Sequence, residues 1–261
     1  MDVLFLLAMG AVAGMFAGLL GIGGGIIIVP VLAMVFTSQG VSIDVLMHVA
    51  IGTSLATIVI TSISSIRAHH KHQAINWPVV RVIAIGVFIG GLIGAIIAKI
   101  IPGKDLKLIF SIFMFLIAAQ MYLGNRAKAH RTLPEKTGMI FAGISIGMIA
   151  SLMGVGGGSM SVPFFTWCSM NIRKAVATSS AIGFPIAVSG TIGFIVTGWS
   201  VPGRPVMSFG YVNLPAFFSI VVASVLFAPL GAWVAHRISP VILKRIFAGF
   251  LLILGIRMFL S

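Results

Sequence analysis

The chain has 261 residues, of which 59% are hydrophobic and only 8% charged, with a formal net charge of +13. A soluble domain carries about 25% charged residues, so a mean hydropathy of +1.17 excludes a water-facing globular surface. With lipid as the solvent, the excess of Lys and Arg reads as topology-setting loop residues, not as a nucleic-acid surface.

An apolar run over 3–20 predicts a first helix, and the start Met1-Asp2, lacking Lys and Arg, argues that it is a retained span and not a secretory signal. A break follows at Gly21-Ile22-Gly23-Gly24-Gly25, then a short apolar segment over 26–36 and helices near 46–66, 78–101 and 106–123. Beyond a basic stretch come 137–153, a second break at 154–158, a short segment over 159–170, and helices over 174–198, 212–235 and 242–260. The long runs match a hydrocarbon core of about 30 Å, whereas 11 or 12 residues reach about 18 Å, so each short segment is a half-helix or re-entrant piece. The runs are continuous, not alternating, which favours helices over a barrel. The single Cys168 excludes an internal disulfide framework.

The same order of elements occurs twice because the sequence repeats. Gly10, Gly14, Gly21, Gly23, Gly24, Gly25 and Pro30 recur 133 residues later as Gly143, Gly147, Gly154, Gly156, Gly157, Gly158 and Pro163. Thr53-Ser54 recur as Thr178-Ser179, and Asn76-x-Pro78 as Asn213-x-Pro215. The expected organisation is an N-terminal transmembrane repeat over 1–125, a basic cytoplasmic linker over 126–133 and a C-terminal transmembrane repeat over 134–261. If the short segments merely extend the first helices, eight spans leave nine basic residues on one side and eight on the other. If each short segment turns back, twelve stand against five, as the positive-inside rule requires. The fold class is then an all-α integral membrane protein of two inverted repeats, each a Gly-broken hairpin plus three spanning helices. Parallel repeats with eight spans remain the alternative.

Adjacent glycines are unfavourable inside a helix, by about 1 kcal/mol each. A half-helix beginning at such a break points its N–H groups and positive dipole end at an anion. Packing explains Gly86, Gly90 and Gly94, whose spacing lets helices approach. A nucleotide-binding reading fails because no strand–turn–helix unit surrounds the breaks. The candidate substrate-binding residues are Gly23, Gly24, Gly25, Gly156, Gly157 and Gly158, with hydroxyl donors at Thr53, Ser54, Ser159, Thr178 and Ser179. His48 and Arg173, opposite one another in the repeat alignment, are candidates for coupling or anion attraction; anchoring of helix ends is the plainer role. His69-His70-Lys71-His72 has no acidic or Cys partners nearby in sequence and reads as a basic loop, not a metal site. No cofactor is expected.

The paired motifs Gly21-Ile-Gly-Gly-Gly with Pro30 and Gly154-Val-Gly-Gly-Gly with Pro163 resemble the TauE/SafE sulfite exporter family of membrane permeases. Gly52-Thr53-Ser54 and Ala177-Thr178-Ser179 fit the same pattern, with Ala177 departing from Gly52. The resemblance implies export of sulfite, a sulfonate or another sulfur-containing or organic anion. The expectation is therefore a secondary exporter working by alternating access, with a passive anion channel as the alternative, and not an enzyme. It would sit in the plasma membrane as a multi-pass protein with basic loops cytoplasmic and both termini on the opposite face. The expected partners are a small anion and the lipid bilayer, no nucleic acid, and a second copy of the chain if it dimerises.

Overall fold

In a computed structural model the structure describes residues 24–123, 132–235 and 240–260, with isolated positions at 7, 8, 10, 11, 14 and 15. The first helix beyond those positions, Gly21, Gly23 and residues 126–131 of the expected linker lie outside the described residues. The helices are α1 (Gly25–Ser38), α2 (Ile43–Lys71), α3 (Trp77–Ile100), α4 (Gly103–Leu123), α5 (Lys136–Leu152), α6 (Gly158–Trp167), α7 (Ile172–Gly198), α8 (Leu214–Ala235) and α9 (Pro240–Leu260). Among the described residues, α2, α3, α4 and α7 are long and apolar enough to cross a membrane. The sequence expectation of a helix from 212 needs correction: Val212–Asn213 is a strand, β2, paired antiparallel with β1 (Ser208–Phe209), and α8 begins after it. The strands are two residues long, too short to leave a periodic signal.

The short segments are half-helices. With 14 residues, α1 spans about 21 Å, and with 10 residues, α6 spans about 15 Å. Helix α1 is apolar on all sides and buried along almost its whole length from Gly25 to Phe36, as a helix sheathed by others must be. The longer helices instead have one buried and one apolar exposed side. On α3, Ile85, Ile89, Ile93, Ile96 and Ile100 form an exposed ridge at helical spacing, a surface suited to lipid tails.

Small residues set the packing. Gly86, Gly90 and Gly94 of α3 lie directly against the backbone of Ile140, Ile144 and Met148, so α3 and α5 run parallel in close contact. The counterpart contact joins the other two elements of the repeat: Gly10 faces Ile220 and Ala223, and the Ser224 hydroxyl donates to the Gly10 carbonyl at 3.3 Å. Helices α2 and α7 cross the middle in opposite directions, since Gly52 meets Phe194 while Gly190 meets Leu55. The start of α2 therefore lies beside the end of α7. At the other end of the bundle, the 72–76 connection meets the first turns of α7 through Asn76 and Thr178.

Gly90 and Gly249 should respond oppositely to the same substitution. A methyl group on Gly90 would press on the Ile144 carbonyl, whereas one on Gly249 meets nothing within 4 Å. Gly90→Ala is expected to destabilise by about 1–3 kcal/mol through overpacking. Gly249→Ala should be neutral or stabilising by up to about 1 kcal/mol through helix propensity. Thermal unfolding in detergent, read by intrinsic fluorescence, checks both.

Candidate functional site: two glycine-started half-helices

The second break is built from two left-handed glycines with separate jobs. Helix α5 ends at Met153, after which Gly154 (φ 67°) turns the chain, with Gly154 N–H donating to Ser151 O at 3.1 Å and Val155 N–H to Ala150 O at 2.9 Å. This is a Schellman ending, which depends on a residue free of a Cβ. Gly157 (φ 74°) then caps α6. Its counterpart Gly24 (φ 69°) caps α1 in the same conformation. These glycines are therefore caps and not helix interior, so the sequence-based cost of glycine inside a helix does not apply to Gly24 or Gly157. An L-residue would be strained there by about 1–2 kcal/mol.

No side chain caps either half-helix. The first helical bonds run from Ile27 and Ile28 to Gly24 O, and from Met160 and Ser161 to Gly157 O. Among the described residues, the N–H groups of Gly25, Ile26, Gly158 and Ser159 therefore have no hydrogen-bond acceptor. Gly25 and Gly158 are themselves buried. Pro30 and Pro163, at equivalent places inside α1 and α6, lack an N–H and deprive the carbonyls of Ile26 and Ser159 of their helical donors. Each half-helix thus begins with donors facing outward along a dipole whose positive end is the same end.

The two breaks touch. A methyl group on Gly25 would lie 2.6 Å from Gly154 O and 3.1 Å from Val155 Cα, so the start of α1 rests on the second break. The Ser54 hydroxyl donates to Gly154 O at 2.8 Å. On the other side, Gly183 of α7 leaves room for Gly156 O, and Gly157 faces Ile186. Ser179, one turn before Gly183, is 1% exposed, and its hydroxyl has no partner among the described residues. The same holds for the buried hydroxyls of Ser159 and Ser151.

The threonines have a different place. Thr53 Oγ1 accepts the N–H of Asn213 at 2.9 Å, and Thr178 Oγ1 accepts the N–H of Asn76 at 3.1 Å. Each Asn in turn caps its own helix, Asn76 Oδ1 accepting from Val79 N–H at 3.5 Å and Asn213 Oδ1 from Ala216 N–H at 3.1 Å. A threonine of each repeat therefore holds the helix start of the other. The asparagines were repeat positions in the sequence without an assigned role; an Asn two residues before a Pro, ahead of an apolar run, is the capping signal that finds them.

The remaining candidates separate. His48 is buried, with Nε2 2.8 Å from Ala98 O and its ring stacked on Tyr211 at 5.1 Å. Arg173 is exposed in the first turn of α7, away from His48 and at the opposite end of the bundle. Tyr211 also accounts for the departure of Ala177 from Gly52. A methyl group on Gly52 would lie 2.7 Å from Tyr211 O, and the first repeat has no such hairpin to crowd Ala177. In the His-rich stretch, His70 Nδ1 accepts from the Trp77 indole at 3.3 Å. Among the described residues no group of three or more His, Cys, Asp or Glu could hold a metal.

The reciprocal bonds make a direct prediction. Thr53→Val and Thr178→Val keep shape but leave an N–H unpaired, buried at Asn213 and half-buried at Asn76, a cost of about 1–3 kcal/mol that is larger for Thr53→Val. Thr→Ser at either position keeps the acceptor and should leave the melting temperature in detergent nearly unchanged, whereas both Val variants should lower it.

The family model described as Sulfite exporter TauE/SafE matches residues 6–258. A probable membrane transporter protein of Haemophilus influenzae is 40% identical over 99% of this chain and 98% of its own length. A probable membrane transporter protein of Bacillus subtilis, YunE, is 34% identical over 76% of this chain and 80% of its own. A further one from Methanocaldococcus jannaschii is 27% identical over 98% and 94%. No solved structure matches significantly. With multiple long apolar helices and a match across nearly its whole length, the chain belongs to the TauE/SafE sulfite exporter family of multi-pass membrane transporters.

Proposed function

We propose that this protein is a secondary transporter that exports a small anion, of the class of sulfite, a sulfonate or another sulfur-containing or organic anion, by alternating access around its two breaks. The observation that carries this reading is the uncapped start of α1 resting on Gly154 and Val155 of the second break, the same break from which the uncapped α6 begins, with the unpartnered Ser159 and Ser179 hydroxyls on the side of the second. An oxyanion there would accept backbone and hydroxyl donors without a buried lysine or arginine. Thr53 and Thr178 would hold the surrounding helices, so the anion contacts are assigned to Gly24, Gly25, Gly157, Gly158, Ser159 and Ser179.

Inverted repeats are supported by three contacts. Equivalent helices α2 and α7 are antiparallel; the Thr–Asn bonds are exchanged between halves; and α5 and α3 run parallel in the same way as Gly10 meets α8. Since α5 starts at the end where α3 starts, and α6 leads back to the start of α7 at that same end, α5 and α6 form a re-entrant hairpin. Arg67, Lys71, Arg81, Lys136, Arg173 and Lys174 gather at that end, which we take as cytoplasmic. Inverted repeats with half-helix ends at the midplane are a recurrent transporter design.

Transport of sulfite into or out of proteoliposomes tests this. Ser159→Ala and Ser179→Ala should each slow it by about tenfold or more, the worth of a hydrogen bond to a charged group, without changing the melting temperature. Flux should saturate with sulfite and be accelerated by anion on the opposite side. Non-saturating flux without such acceleration would indicate a passive channel, and undiminished flux in both serine variants would remove the breaks as the site.

A further inference from the structure

The 199–213 connection covers the end of the bundle where α2 begins, and it is held there from several sides. The Tyr211 N–H donates to Phe194 O at 3.2 Å, and the Asn213 N–H to Thr53 Oγ1 at 2.9 Å. Gly198 and Gly52 both lack the Cβ that would collide with Tyr211 at 2.6 and 2.7 Å. Arg204 ties the connection internally, its Nε donating to Val201 O at 2.7 Å and Nη1 to Gly210 O at 3.1 Å. At the opposite end the equivalent connection over 72–76 is short, and beside it lies a cleft of about 300 Å³ lined by Gln73, Asn76, Trp77 and Lys174. One end is therefore covered by a buried tyrosine, while the other has an open cleft beside Asn76 and Lys174.

Beneath Tyr211 lies a titratable group that the anion site does not use. His48 is 4% exposed. A carbonyl only accepts, so the ring nitrogen at 2.8 Å from Ala98 O carries the proton, and the neutral imidazole is fixed as the Nε2–H tautomer. Among the described residues its buried Nδ1 lone pair has no hydrogen-bond partner. The ring's stacked neighbour is Tyr211, at 5.1 Å and 27°. The titratable or charged groups on the elements around it are Asp44 on α2, Lys99 at the end of α3, Lys104, Asp105 and Lys107 at the start of α4, and Arg204 and Tyr211 on the connection; α1 has none. Among the described residues no carboxylate is paired with the imidazole.

We propose that the 199–213 connection is the gate at this end of the transporter and that His48 Nδ1 is the proton-accepting site that releases it. A proton taken up from the adjacent aqueous face converts Nδ1 from a lone pair into an N–H. Even with the backbone carbonyls of Asp44 and Ile101 close to the ring, the imidazolium charge is buried here without a carboxylate and is unfavourable. The nearest relief is displacement of Tyr211, which admits water or turns an oxygen of the connection toward the ring. Withdrawal of Tyr211 then pulls on Asn213 and frees Thr53, opening a way toward the breaks. The inference rests on the transporter reading, but its test needs no substrate.

The test is thiol labelling of full-length protein in proteoliposomes, with Cys168 replaced by Ala. Val212→Cys reports the seated connection, because Val212 is 4% exposed. Val206→Cys, at a position 87% exposed on the same connection, normalises the reagent's own pH dependence. From about pH 8 to about pH 5 the normalised labelling of position 212 should rise by about tenfold, the worth of a hydrogen bond. His48→Gln, which keeps an N–H for Ala98 O and loses the proton site, should abolish that rise. Thr53→Val should raise labelling at every pH. A flat pH response in the otherwise unaltered protein overturns the proposal whether or not His48→Gln folds, and so does an undiminished response in that variant. Loss of anion transport with the pH response intact would instead count against the anion site alone.

Discussion

In lipid, a backbone N–H without a partner has no water to turn to, and this constraint organises the protein. Helices satisfy it everywhere except at their first turns, where side chains or caps normally intervene. This chain places two such first turns inside the bundle, starts both with a left-handed glycine, and gives neither a capping side chain. Among the described residues nothing accepts from these donors, and in lipid they require an acceptor. An oxyanion is the acceptor whose charge also suits the dipole ends, and that is why the breaks, and not an ionised side chain, are the centre of the functional argument.

Everything around the breaks serves to bring them together and to keep their surroundings in two equivalent arrangements. The glycines of α3 admit the backbone of α5, which delivers the second break to the middle. The exchanged Thr53–Asn213 and Thr178–Asn76 bonds tie each long central helix to the helix start of the opposite repeat. Two ends built alike but engaged differently are what the proposed alternating access requires. At one end Tyr211 is packed between Gly52, Gly198 and His48; at the other the shorter connection leaves a cleft beside Lys174.

Much of this was legible in the sequence. Apolar runs gave the helices, duplication gave the repeat, and length separated half-helices from spans. Charge asymmetry is the sequence signal behind the proposed return of α5 and α6 to one end. What the sequence left unread has physical causes. A glycine triplet does not announce which member turns left-handed, so Gly154 as the end of α5 and Gly157 as the start of α6 became distinct only in three dimensions. Hydroxyls at Thr53 and Thr178 look alike as ligands or as acceptors for a neighbour's N–H, because the neighbour, Asn213 or Asn76, is far away in the chain. The hairpin at Phe209-Gly210-Tyr211-Val212 rests on one glycine with φ 59° and strands too short for periodicity. Once it is seen, Gly52 and Ala177 cease to be an unexplained mismatch between the repeats.

The most direct measurement is an experimental structure of the protein in nanodiscs with a selenium-containing oxyanion, located by its anomalous signal or density. The account predicts the oxyanion within hydrogen-bonding distance of the Gly158 N–H and the Ser159 hydroxyl, beside the start of α1 at Gly25. An oxyanion bound elsewhere in the bundle, with the first N–H groups of α1 and α6 paired to protein carbonyls, would contradict it.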